Sequence, residues 1–222
     1  MFSSMSLKRK ILISLLAAGL LPLLIIGVII DYQASNALKA QAFNQLVSIR
    51  DIQKQQIESY FSQVRDQVET FSSSRMIIDA AKGFRFAFKL LGSEIDASGR
   101  LDAFKQQLAA YYQDDFANAY QARTGDAIDA TGLMPSAVLE IAAQHQYIAA
   151  NPNPLGDKHQ LDSIDDGSSY DELHQRYHPA IRQYLEKFGY YDIFIVDAVS
   201  GNIIYSVFKE LDFATNLKTG PY

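Results

Sequence analysis

Residues 11–30, ILISLLAAGLLPLLIIGVII, run for twenty positions without a charge. A helix rises about 1.5 Å per residue, so this run covers the roughly 30 Å hydrocarbon core of a bilayer. Pro22 is compatible with a membrane span, where it can kink the helix. Lys8, Arg9 and Lys10 precede the run, and the first acidic residue is Asp31. The positive-inside rule then keeps residues 1–10 in the cytoplasm, sends 11–30 across, and leaves Asp31 onward outside. A cleaved signal peptide is the alternative, but its apolar core should be only about 7–15 residues long and end at a small-residue site. Here the nearest Ala-x-Ala, Ala40-Gln41-Ala42, lies beyond the run, inside a helical pattern. An uncleaved single-pass anchor is the expectation.

From Asp31 to Phe71 the pattern is helical. Leu38, Ala42, Leu46, Ile49, Ile57, Tyr60, Val64, Val68 and Phe71 recur at mostly three- or four-residue steps, with no Pro or Gly between them. Forty such residues rise about 60 Å, enough for a stalk. The apolar stripe is narrow and would gain from a partner, which predicts a homodimer through Leu46, Ile57, Val64 and Val68. Ser72-Ser73-Ser74 marks a break. Helices are then expected over Arg75–Leu91 and Leu101–Ala119, with turns at Gly92-Ser93 and Ala97-Ser98-Gly99. Ser136 with Glu140 reads as a capping box for Ala137–Ala150. Asn151–Gly156 and the polar stretch to Ser169 are loop. Two short helices, Tyr170–Tyr177 and Pro179–Phe188, end at Gly189. The helical extracytoplasmic region thus spans 31–189.

Little in the chain points to catalysis. There is no cysteine, so disulfides, thiol chemistry and thiolate metal sites are excluded. Gly-x-Ser-x-Gly and phosphate-cradling glycine loops are absent. A net charge of −5 gives no basic footprint for nucleic acid. His174 and His178 have the spacing of two ligands on one helix face, but no third ligand stands at a motif spacing; packing or solvated histidines are the expectation. Asp162, Asp165, Asp166 and Gly167 lack the alternating acids of a calcium loop and read as a polar turn. Neither an enzyme, a metal site nor a cofactor is predicted.

The last segment, 190–222, changes period. Tyr191–Val196 and Ile203–Phe208 are β-branched and aromatic runs around Asp197-Ala-Val-Ser-Gly-Asn202, the signature of a β-hairpin. Over Phe188–Tyr222 the sequence resembles the opening hairpin of the Cache-type sensor domain of bacterial methyl-accepting chemotaxis receptors. The resemblance rests on Asp197, Gly201, Tyr205, Ser206, Lys209, Asp212 and Phe213. It implies an α+β protein: an N-terminal transmembrane helix, a helical extracytoplasmic region, and the first hairpin of an incomplete PAS-like Cache antiparallel sheet. It implies the signal-sensing portion of a chemoreceptor in the bacterial inner membrane, cut before its output region. A histidine kinase or cyclase sensor, or a membrane-tethered helical adaptor for proteins, are the alternatives. The ligand would be a small molecule held near the strand ends by Tyr191, Tyr205, Lys209 and Asp212. Lys209 would pair with a ligand carboxylate, and Asp212 would accept from an amine. The tail Glu210–Tyr222 is turn-rich, and the hairpin edges are expected to lie exposed.

Overall fold

The computed structural model describes residues 6–221, without the side chains of Asp96 and Ala97. Residues 1–5 of the expected cytoplasmic end and Tyr222 lie outside the described residues. The fold is mostly helical with one small two-stranded antiparallel sheet, an α+β arrangement. Two compact units divide the chain, Met1–Glu69 and Thr70–Tyr222.

The first unit is built on helix α1 (Leu7–Ser72), which runs through Pro22 and buries none of its residues. Its N-terminal part is long and apolar enough to cross a membrane, by length and composition. Further along, Leu46, Ile57 and Val68 are all exposed in the single chain.

The second unit begins at Thr70, just before the serine break. The Ser74 hydroxyl accepts from the Ile77 N–H at 3.4 Å and opens α2 (Arg75–Ser98). This helix does not stop at the predicted Gly92 turn. A Cβ at Gly92 would lie 2.9 Å from the Cβ of Leu139, so this glycine allows close approach of two helices rather than a turn. The chain turns at the other predicted point, Gly99, where φ is +69°. Helix α3 (Leu101–Ala110) passes through a π-helical turn, Tyr111–Phe116, into α4 (Ala117–Thr124), past the predicted end at Ala119.

Helix α5 (Val138–Gln144) is followed by a second π-helical turn, His145–Ala149. Its predicted capping box forms only in part. Ala137, not Ser136, is the N-cap and makes no side-chain bond. The Glu140 carboxylate still reaches back to the Ala137 N–H and also accepts from Asn202 Nδ2 at 2.9 Å.

Where two helices were predicted there is one, α6 (Ser169–Phe188), with Pro179 inside it. Pro179 cannot donate to the Gln175 carbonyl, but Gln175 is exposed and solvent can satisfy it. Tyr170, His174, His178, Ile181 and Leu185 form one buried face on both sides of the proline, and that burial holds the helix continuous.

Strands β1 (Phe194–Val196) and β2 (Ile203–Ser206) pair antiparallel, Phe194 opposite Ser206 and Ile195 opposite Tyr205, with a bulge after Ile195. They are shorter than predicted because one carboxylate intervenes. Asp192 Oδ1 accepts the N–H groups of Ile193 (2.6 Å), Val207 (2.9 Å) and Phe208 (3.3 Å). At the connection, Gly201 takes φ +88°, and the Asp197 carboxylate accepts from Ser200 Oγ and pairs with Arg85 at 3.1 Å. The tail is not loose. Ile203 donates to the Thr215 carbonyl and accepts from Ala214 N–H, while Leu217 N–H bonds the Gly201 carbonyl. Phe213, Ala214 and Thr215 are buried, so part of the expected free edge is covered.

Hairpin and helices share one core of packed rings. Phe84 lies 5.1 Å from Tyr170 and 4.8 Å from Tyr205, and Tyr147 lies 5.2 Å from Tyr170. The separations fit favourable tilted and edge-on aromatic packing.

Candidate ligand-binding cleft

The segment leaving β2 is held in an unusual backbone path. Lys209 takes φ +56° and Ala214 φ +67°, a region few non-glycine residues occupy. Such strain persists only where surrounding bonds over-determine it. Here Lys209 N–H bonds Ser206 Oγ, Phe213 N–H bonds the Glu210 carbonyl, and Thr215 donates twice to the Asp212 carbonyl. Gln144, at the end of α5, completes the frame. Its Nε2 donates to the carbonyls of Leu211 (2.8 Å) and Phe213 (2.7 Å), and its Oε1 accepts from Tyr112 OH at 2.8 Å. One buried amide thereby ties this segment to the first π-helical turn.

Between them lies a cleft of about 340 Å³. One wall is Phe208–Asp212. The other is Tyr111, Phe116 and Arg123 from the helices, with Leu155, Gly156 and Lys158 closing one side. The lining is largely apolar with a few charges, the composition of a small-molecule site.

Two of the residues singled out by the sequence meet here. Asp212 lines the cleft, and its Oδ1 is buried without a hydrogen-bond partner. Burial, then the nearby Asp192 and Glu210 carboxylates, push its carboxyl up to about 6. Lys209 lines the cleft too, but its ammonium is spent inside the protein. Nζ donates to the Ser206 carbonyl and sits over the rings of Tyr205 (4.3 Å), Phe213 (5.0 Å) and Tyr147 (5.8 Å). Burial pushes Lys209 down, against the pull of Asp192.

The other two stand elsewhere. Tyr205 is fully buried, and its hydroxyl lies 2.7 Å from His178 Nδ1. Tyr191 is 78% exposed and touches the cleft from outside, donating to Glu210 at 2.9 Å and stacking on Phe208 at 6.5 Å. Reasoning from sequence missed Tyr111, Phe116, Arg123, Lys158 and Gln144. Nothing in their spacing marks them, since they converge from one π-helical turn, the ends of α4 and α5 and a short 3-10 turn.

His174 and His178 stack at 4.2 Å, both buried. His174 Nδ1 bonds the Asp162 carbonyl and His178 Nε2 the His159 carbonyl. Burial holds both far below the usual histidine range, His178 at about 2. Among the described residues no group of three or more His, Cys, Asp or Glu is placed to hold a metal ion. The polar turn near Asp162 is organised by Asp171, whose carboxylate accepts from Tyr147 OH, Ser163 Oγ and the N–H groups of Ile164 and Asp165. No family model matches the chain, and neither a curated protein nor a solved structure does.

Proposed function

We propose that this chain is the extracytoplasmic signal-sensing portion of a bacterial chemoreceptor of the Cache type, anchored in the inner membrane by residues 11–30 with its N-terminus in the cytoplasm. One observation carries the reading. Lys209 and Asp212, marked by the likeness to Cache sensors, line one small-molecule-sized cleft in a chain that also holds a helix long enough to cross a bilayer. The ligand is a small molecule. The active form is a homodimer through Leu46, Ile57, Val64 and Val68, whose uncovered stripe favours pairing. Cysteines at these positions should crosslink between subunits more readily than at Lys54 or Arg65, and equal crosslinking around α1 would dismiss the dimer.

The test of the function is genetic. Deleting the gene from its source bacterium should abolish taxis toward or away from at least one compound in a small-molecule panel, with swimming intact. Unchanged taxis would overturn the chemoreceptor reading. A changed phosphorylation or cyclic-nucleotide response alongside it would point to a kinase or cyclase sensor.

A further inference from the structure

We propose that the cleft between the β2 exit and the first π-helical turn binds a small molecule bearing a protonated primary amine, with Asp212 as its anchor and an apolar body between Phe116 and Phe208. The proposal deepens the sensing reading and rests on it. It moves the site away from the sheet interior and onto the helical region that precedes the hairpin.

The first support is an unmet hydrogen bond. Asp212 Oδ1 is buried in the cleft lining with no donor. A buried acceptor without a partner costs free energy, and a charged donor is the strongest remedy. Tyr111 OH is a second buried polar atom with no partner in the same lining. Burial and the neighbouring Asp115 push that phenol up to about 12, so it stays neutral, able both to donate and to accept. An ammonium carries three donors, and one of them suffices for Asp212 Oδ1.

The second support is what the cleft's own cations are doing. Lys158 Nζ donates to the Asn151 carbonyl at 2.8 Å and lies over the Tyr111 ring at 5.4 Å. Lys209 Nζ bonds the Ser206 carbonyl inside its ring cage. Neither pairs with Asp212, whose carboxylate is met by the backbone N–H groups of Asp212 and Phe213 while Oδ1 keeps no partner. Arg123 alone of the three stands exposed, at the end of α4. A ligand carboxylate is therefore met by Arg123 rather than by Lys209. Phe116 and Phe208 supply apolar lining for the body of the ligand.

The test is calorimetric titration of the full chain in detergent with four probes of one shape: phenethylamine, 2-phenylethanol, 3-phenylpropionate and phenylalanine. Ligands of this size reach about millimolar affinity or better in a matched site, so titration to about 10 mM is decisive. Phenethylamine should bind saturably, and 2-phenylethanol about tenfold or more weaker, as expected for loss of a charged hydrogen bond. Asp212→Asn should weaken the amine by a similar factor, and Arg123→Gln should weaken phenylalanine relative to phenethylamine. Should Asp212→Asn fail to fold, the amine-to-alcohol ratio on the unmodified chain decides. Equal binding of amine and alcohol, tighter binding of 3-phenylpropionate than of amine, or no binding of any amine overturns the proposal. A loss of taxis toward compounds without an amine would sink this site while leaving the sensor reading standing.

Discussion

His178 Nδ1 and the Tyr205 hydroxyl lie 2.7 Å apart, joining the middle of α6 to the centre of β2. The other nitrogen, Nε2, faces the His159 carbonyl at 2.7 Å and must carry the proton to donate. Nδ1 is then the acceptor and Tyr205 the donor, which is the neutral imidazole. Burial enforces the same state, and the positive charge of Lys209 adds to it.

The bond carries a pH consequence. The folded pKa of His178 is depressed to about 2 from 6.5, so its contribution to stability is present above pH 6.5 and lost as pH falls toward 2. Each pH unit in that window removes about 1.4 kcal/mol for this one group. His174 acts in the same direction. The midpoint of urea unfolding should fall steadily below pH 6.5, and more gently in His178→Gln. Parallel curves for both proteins would show that His178 titrates alike in the folded and unfolded chain.

The histidines also illustrate what sequence conveys. Their four-residue spacing put them on one helix face, and that face is buried. Their partners, Tyr205, His159 and Asp162, come from three separate segments, and no local pattern encodes them. Elements with local signals were legible: the uncharged run and the apolar spacing marked α1, the serine triplet its end, the Gly201 connection the hairpin turn and Gly189 the stop of α6. Gly92 and Pro179 misled, because each was read as local punctuation while a tertiary contact decided its role. Strand ends were misplaced since Asp192 takes the N–H groups that would have extended the ladder. Of the residues that line the cleft, Lys209 and Asp212 were singled out through the likeness to Cache sensors. Tyr111, Phe116 and Arg123 were not, because their convergence depends on a π-helical turn that carries no evident sequence signature.

Gln144 should be the most sensitive position in the second unit. Gln144→Leu keeps the volume but strands two backbone carbonyls, Leu211 and Phe213, and the Tyr112 hydroxyl loses its 2.8 Å bond to Oε1. An unsatisfied buried group costs about 1–3 kcal/mol, so the two stranded carbonyls alone should cost about 2–6 kcal/mol. At about 2–4 °C per kcal/mol for a unit of this size, the melting temperature should drop by roughly 5–15 °C. A drop under about 2 °C would mean that the segment after β2 holds its path without the amide.

Lys209 separates a structural ammonium from a ligand-facing one. Its folded pKa is lowered to about 7 from 10.5, chiefly by burial and in spite of Asp192. A depressed lysine contributes stability that is full above pH 10.5 and lost as pH falls through 7. Lys209→Met retains most of the side-chain volume and removes that titration, and its φ of +56° burdens both residues alike. Relative to the unmodified chain, the variant should therefore gain stability progressively as pH is lowered from about 10 to about 7, and hold a constant difference below. Thermal melts at intervals across that range read the effect directly. A difference that does not vary with pH would mean that the Lys209 ammonium is solvated, and so free to meet a ligand carboxylate after all.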